Sequence, residues 1–162
     1  MKKQLYCDID STINNHWVRI QKWAVPKFPG HSIHPNAFTR AEIMKDKPLP
    51  GARAALEKLS EKYDIHFLSA RNFDDAQSIT EDWLNMHGFK YKSVNITKNS
   101  KEKVPFLCSR KCDIFIDDLS AGQERGPSYV NLYHDTISLL KKEKIPFIIF
   151  KGNWFQVVQE LN

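Results

Sequence analysis

A chain of 162 residues with 41% hydrophobic and 27% charged residues has the size and balance of one compact globular domain, which excludes a disordered or fibrous protein. Its longest apolar runs, such as IPFIIF, are strand-length, and charge returns at Asp8 before any apolar h-region forms behind Lys2 and Lys3, so neither a membrane span nor a secretory signal is expected and the reading is cytoplasmic. The net charge of +5 favours anionic partners, but the lysines are scattered through KLSEKY, KYKS, KNSKEK and KKEK rather than gathered in a stripe, which makes a small anionic substrate the first expectation and nucleic acid the lesser one.

The first predicted element is a strand, KQLYCDI, running into Asp8-Ile9-Asp10-Ser11-Thr12. Residues 13–50 then break any strand–helix rhythm. A structureless loop of that length inside a compact domain is improbable, so this segment is predicted as a small helical cap lying over the strand ends. GARAALEKLSEKY follows with Ala52, Ala55, Leu56 and Leu59 at helical spacing, then the strand DIHFLSA ending at Ser69-Ala70-Arg71. DDAQSITEDWLNMHGF is a helix stopped at Gly88. The strands SVNIT, DIFIDD, YVNLY and PFIIFK come next, and GNWFQVVQEL closes the chain as an amphipathic helix with Trp154, Val157, Val158 and Leu161 inward. Strands alternating with helices predict an α/β fold: a doubly wound, Rossmann-like parallel sheet with helices on both faces, one domain over residues 1–162. Cys7, Cys108 and Cys112 are odd in number and lack companion ligands, so they read as free thiols.

In a doubly wound sheet the site lies off the carboxyl ends of the strands. Three predicted strands end there on Asp8/Asp10, on Ser69 and on Asp117/Asp118. Two carboxylates on alternate residues would point apart in a continuing strand, but a turn beginning at Asp10 folds the second back over the first. The pair then offers an anionic nucleophile beside an acid able to give and retake a proton. Asp117 and Asp118 would make such a pocket self-repelling unless a hard divalent cation were held there, and Mg²⁺ suits carboxylates, a carbonyl, waters and a phosphate oxygen. The implied substrate is a phosphate ester, with Ser69, the amides around Ala70 and a lysine as donors to its oxygens. Arg71 either touches that phosphate or pairs with Asp74 or Asp75. Thr12 is expected to brace the loop through its hydroxyl.

DIDST, FLSAR, a lysine ahead of the next strand, and IFIDD resemble, in order and spacing over residues 4–118, the four motifs of the haloacid dehalogenase superfamily of phosphohydrolases. The cap after the first motif and the run from PLPGARAALEKL to HFLSAR most resemble the 5'(3')-deoxyribonucleotidase-like group. The resemblance implies that Asp8 forms an aspartyl-phosphate and binds Mg²⁺, while Asp10 protonates the leaving alcohol, activates water and gives its backbone carbonyl to the metal. It also implies that Ser69, Ala70 and Arg71 meet the phosphoryl oxygens, and that Asp117 and Asp118 hold the cation. For the lysine, TKNSKEK offers Lys98, Lys101 and Lys103, of which Lys101 is favoured. The expected activity is Mg²⁺-dependent hydrolysis of a nucleotide 5'- or 3'-phosphate, with nucleic-acid ends or another phosphometabolite as alternatives. Ser11 stands where glycine is usual, which bears on the substrate more than on the reaction.

In the cap, His16, Trp17, Arg19 and Trp23 could stack on a base and grip a sugar or phosphate. Against that, Trp17, Ile20 and Trp23 have the spacing of the cap's own core. His31 and His34 lack further ligands for a metal. A receiver-like phospho-switch also uses acids, a hydroxyl and a lysine on such a sheet, but it gathers adjacent acids at its first strand, whereas here the adjacent pair comes late.

Overall fold

The computed structural model describes residues 1–27, 30–120 and 132–162. In order, these form β1 (Lys3–Cys7), α1 (His16–Ile20), a 3₁₀ turn (Gln21–Trp23), β2 (Ala24–Lys27), β3 (Gly30–Ile33), a second 3₁₀ turn (Pro35–Phe38), α2 (Arg40–Ile43), α3 (Ala52–Leu59), β4 (Tyr63–Ala70), α4 (Ala76–Met86), β5 (Ser93–Thr97), α5 (Lys103–Cys108), β6 (Ile114–Asp117), α6 (His134–Lys142), β7 (Phe147–Ile149) and α7 (Trp154–Leu161). Five strands make one parallel sheet in the order β5-β4-β1-β6-β7.

Strand periodicity sorts the core into two layers. Leu5 and Cys7, opposite Ile65 and Phe67, face one side and pack with Leu56, Trp83 and Trp154 of α3, α4 and α7. Tyr6, Leu68 and Phe115 face the other, against Leu107 of α5 and Leu140 of α6. Phe67 and Phe115 are wholly buried, each contributing about 2–3 kcal/mol of hydrophobic stabilisation. The sheet is thus covered on both faces, as expected of an α/β doubly wound fold.

The chain leaves β1 for β4 and β5 on one side, then returns to β6 and β7 on the other. The order reverses between β1 and β6, which opens a crevice at their carboxyl ends. For the expected strand YVNLY, residues 129–131 lie outside the described residues, while Leu132 makes an isolated bridge to Ser120.

Residues 13–50 carry short helices as expected, together with an antiparallel hairpin of β2 and β3 that the helical reading did not contain. Pro26 sits in β2, and a residue without an N–H suits a two-stranded ribbon better than a helix interior. The segment's two ends are stitched together: Asn15 N–H donates to Lys47 O at 2.9 Å and Lys47 N–H to Asn15 Oδ1 at 2.8 Å. The cap is also pinned to α4, where Arg40 pairs with Asp82 and Trp83 Nε1 donates to Asp46 O at 2.9 Å.

Candidate active site

At the end of β1, Asp8 N–H donates to Ile116 O at 2.8 Å, which carries strand pairing with β6 one residue past β1 itself. The chain then turns sharply. Ser11 takes φ +64°, the left-handed region that favours glycine, and its N–H donates to Asn14 Oδ1 at 2.9 Å. This turn returns Asp10 over the strand end. Asp8, Asp10, Ala70, Arg71, Lys103, Asp117 and Asp118 consequently face one cavity of about 420 Å³.

Within it the acids from two strands are tied together. Thr12 Oγ1 donates to Asp8 Oδ2 at 3.0 Å, lies 3.2 Å from Asp118 Oδ1 and accepts the Asp118 N–H at 3.1 Å. Lys103 Nζ donates to Asp8 Oδ1 at 2.9 Å and Asp117 Oδ2 at 2.8 Å, and all three side chains are buried. Leu119 N–H donates to Asp117 Oδ1 at 2.8 Å. A single ammonium thus bonds two of the three crowded carboxyl groups, Asp8 and Asp117. Burial first and Asp117 second push the Asp8 carboxyl up to about 6, and burial with the charges of Asp117 and Asp8 pushes Asp118 up as well. Burial alone would lower Lys103, but Asp117 and Asp8 outweigh it and hold the amine charged.

Asp10 is neutralised separately. Arg71 forks it, with NH2 donating to Oδ1 at 2.8 Å and Nε to Oδ2 at 3.1 Å. Arg71 is itself fixed by Thr80 Oγ1 at 2.8 Å. Burial would raise the Asp10 carboxyl, yet Arg71 and His16 outweigh it and hold Asp10 far below the usual carboxylate range. Of the two pairings open to Arg71 in the sequence, neither Asp74 nor Asp75 is the partner seen here.

Ser69, at the end of β4, is 1% exposed, and its hydroxyl has no hydrogen-bond partner among the described residues. A buried donor without a partner is costly. Ser69 itself is not on the cavity wall, which its neighbours Ala70 and Arg71 line. The metal expectation does fit. Asp8, Asp117 and Asp118 offer oxygens within 4.8 Å of one another, and the crowding that pushes the Asp8 and Asp118 carboxyls up is what a hard divalent cation on these oxygens would relieve.

The lysine requires a correction. Lys101 is exposed and pairs with Asp135 at 3.1 Å, away from the acids; Lys103 enters the pocket because it opens α5, whose first turn abuts the strand ends. Lys98 also lines the cavity, and its side chain is exposed.

Of the cap residues, His16 lines the cavity, with Nδ1 3.0 Å from Asp46 Oδ2 and 3.4 Å from Asp10 Oδ1. Arg19 does not reach it: Nε donates to Asp46 Oδ1 at 2.7 Å and NH1 to Ala37 O at 2.5 Å, so it braces the cap from within. Trp17 is half-buried and absent from the cavity wall, while Trp23 packs on His34 with ring centroids 5.8 Å apart. His34 Nδ1 accepts from Asn36 N–H at 3.1 Å; the side chain of His31 lies outside the described residues.

The sequence reading missed Phe38, Phe73 and Asp46. Phe38 and Phe73 stack at 5.5 Å on the cavity wall, and Arg71 lies over Phe73 at 5.9 Å. An aromatic two residues beyond the FLSAR motif was the available signal for Phe73. Asp46 lies in a polar run, KDKP, that reads as solvated, yet it is 1% exposed and holds His16 and Arg19. The second acidic grouping, Asp10, His16 and Asp46, is already matched by the guanidiniums of Arg71 and Arg19.

No protein-family model matches the chain, and no curated protein matches it in sequence. Among solved structures it is similar to a haloacid dehalogenase-like family hydrolase from Streptococcus pneumoniae, at 13% identity and a TM-score of 0.58, over 99% of both chains. It is also similar to chains of the Pnkp1/Rnl/Hen1 complex (14% identity, TM-score 0.57, 94% of this chain and 47% of that one) and of the Pnkp1/Rnl/Hen1 RNA repair complex (14%, 0.57, 93% and 42%). The chain spans less than half the length of these last two. At such identities the likeness establishes the fold alone, a doubly wound α/β sheet.

Proposed function

We propose that the chain is a Mg²⁺-dependent phosphomonoester hydrolase acting on nucleotide phosphates. The observation that carries the reading is the crowding of Asp8, Asp117 and Asp118 within 4.8 Å of one another beside a single ammonium, Lys103, on the wall of one cavity. Asp8, Asp117 and Asp118 would hold the cation, which when bound supplies charge neutralisation for the nucleophile and polarises a phosphoryl oxygen.

Asp8 attacks phosphorus, the P–O ester bond breaks, and the departing oxygen takes a proton from Asp10. Water then attacks the aspartyl-phosphate, gives its proton to Asp10 and frees Asp8 with inorganic phosphate. Asp10 is a carboxylate in the arrangement described, so its acid role requires Arg71 to release part of its fork; an incoming phosphoryl group offers that guanidinium a competing partner. Lys103 hydrogen-bonds the phosphoryl oxygens, with Arg71 on the same cavity wall. The stacked Phe38 and Phe73 give a nucleobase an aromatic face, and the fold's likeness to a chain of an RNA repair complex supports a phosphorylated nucleotide, free or at a strand end.

The test is phosphate release from p-nitrophenyl phosphate and a nucleotide panel with and without Mg²⁺, with Asp8→Asn and Asp10→Asn alongside. Mg²⁺-dependent release abolished by Asp8→Asn is expected; release that ignores both metal and Asp8 contradicts the reading.

A further inference from the structure

The cavity over Asp8 does not end at the catalytic acids. A second cavity of about 440 Å³ adjoins it, and Asn99, Ser100 and Tyr133 line both. Beyond these shared residues the second chamber continues past Lys101 and His134, with Leu132 as the one aliphatic side chain among its described lining residues. We infer that this chamber is a leaving-group subsite, and that the substrate is the phosphorylated end of a single-stranded nucleic acid whose next nucleotide lies against Lys101, Tyr133 and His134. The inference rests on the phosphatase reading above and names the substrate class of the same site.

Size comes first. A cavity of about 420 Å³ suffices for one nucleotide, and an adjoining one of about 440 Å³ has room for a second. Chemistry comes next. Amide, hydroxyl, ammonium, imidazole and phenol groups suit a sugar–phosphate backbone and a stacked base, the one carboxylate among the described lining residues, Asp135, being paired with Lys101, whereas a lipid or an apolar peptide would need aliphatic walls. Lys101 is also available to such a ligand. Its ion pair with Asp135 spans 3.1 Å between side chains 62% and 78% exposed, and exposed pairs of this kind hold weakly, so a backbone phosphate can replace the carboxylate. The chain's +5 charge attracts a polyanion without selecting a sequence. The lysine that the sequence reading placed on the scissile phosphate is thereby assigned to the phosphodiester beyond it.

The experiment compares thymidine monophosphates with pentathymidylates carrying a terminal phosphate at the same 5' or 3' position, in low salt, for the unaltered protein and for Lys101→Glu and His134→Glu. A kcat/KM about tenfold higher on the pentanucleotide is expected, with the advantage lost mainly through KM in both variants while mononucleotide turnover stays within about twofold. Equal kcat/KM on the two lengths, or equal losses on both in the variants, overturns the inference. Hydrolysis of p-nitrophenyl phosphate but of no nucleotide also overturns it and leaves the phosphatase reading standing. If no phosphate is released from any ester, that reading falls, and binding of fluorescein-labelled pentathymidylate decides the subsite independently: salt-sensitive binding weakened by Lys101→Glu supports it, and its absence overturns it.

Discussion

Lys103 Nζ lies 2.9 Å from Asp8 Oδ1, so a buried ammonium at the start of α5 grips the carboxylate at the end of β1. Removing it leaves Asp8, Asp117 and Asp118 facing one another uncompensated. Lys103→Met is expected to lower kcat by about 10²-fold or more and to destabilise the metal-free protein by about 3–5 kcal/mol. Lys101→Ala leaves turnover of p-nitrophenyl phosphate unchanged, because Lys101 stands outside the cavity that Asp8 lines. Steady-state kinetics and urea denaturation of the two variants check this pair.

The raised Asp8 carboxyl sets a pH dependence of stability. Its folded value, about 6, exceeds its ordinary 3.8, so the folded state holds the proton more tightly than the unfolded one. Asp8 therefore stabilises the metal-free protein below about pH 4, and that contribution is lost as pH rises through 6, at most about 3 kcal/mol. The raised Asp118 acts in the same direction. Protons and Mg²⁺ compete for these oxygens, so added Mg²⁺ is expected to raise Tm more at pH 7.5 than at pH 5. Melting curves at the two pH values, with Mg²⁺ or EDTA, measure it.

Arg71 is buried between Asp10 and Thr80, and its planar fork is what holds Asp10 over the strand end. Arg71→Ala strands a carboxylate and is expected to cost about 3–5 kcal/mol. Arg71→Lys keeps the charge without the two-point grip, so it should recover much of the stability but little of the activity. Urea unfolding and kcat of both variants separate the two roles.

Asp46 joins the cap to itself and to α4, holding His16 and Arg19 by its carboxylate and Trp83 by its backbone oxygen. Asp46→Ala leaves the Arg19 guanidinium buried with fewer partners. Local loosening of the cap is expected before the sheet is affected, as faster proteolytic cleavage within residues 18–36 at a temperature where the far-ultraviolet circular dichroism is unchanged.

The sheet was legible because β-rich runs and helical spacing agree in sign along most of the chain, and because strand ends mark the crevice once the order is doubly wound. The grouping of Asp8, Asp117 and Asp118 followed from that alone. What stayed hidden depended on direction rather than residue type. Lys101 and Lys103 differ by two positions, and only the true start of α5 decides which of them turns toward the acids. Arg19 reads as a substrate clamp until Asp46, itself in a run that looks solvated, is found buried beneath it. The β2–β3 hairpin has no alternating pattern strong enough to separate it from the short helices around it.

In the proposed reaction a carboxylate oxygen of Asp8 takes the phosphoryl group. Mass spectrometry of protein quenched in acid during turnover of a nucleotide phosphate with Mg²⁺ reads this directly. An adduct of one phosphoryl group on the peptide containing Asp8, missing in Asp8→Asn, is the predicted result. Turnover persisting at its original rate in Asp8→Asn would contradict it.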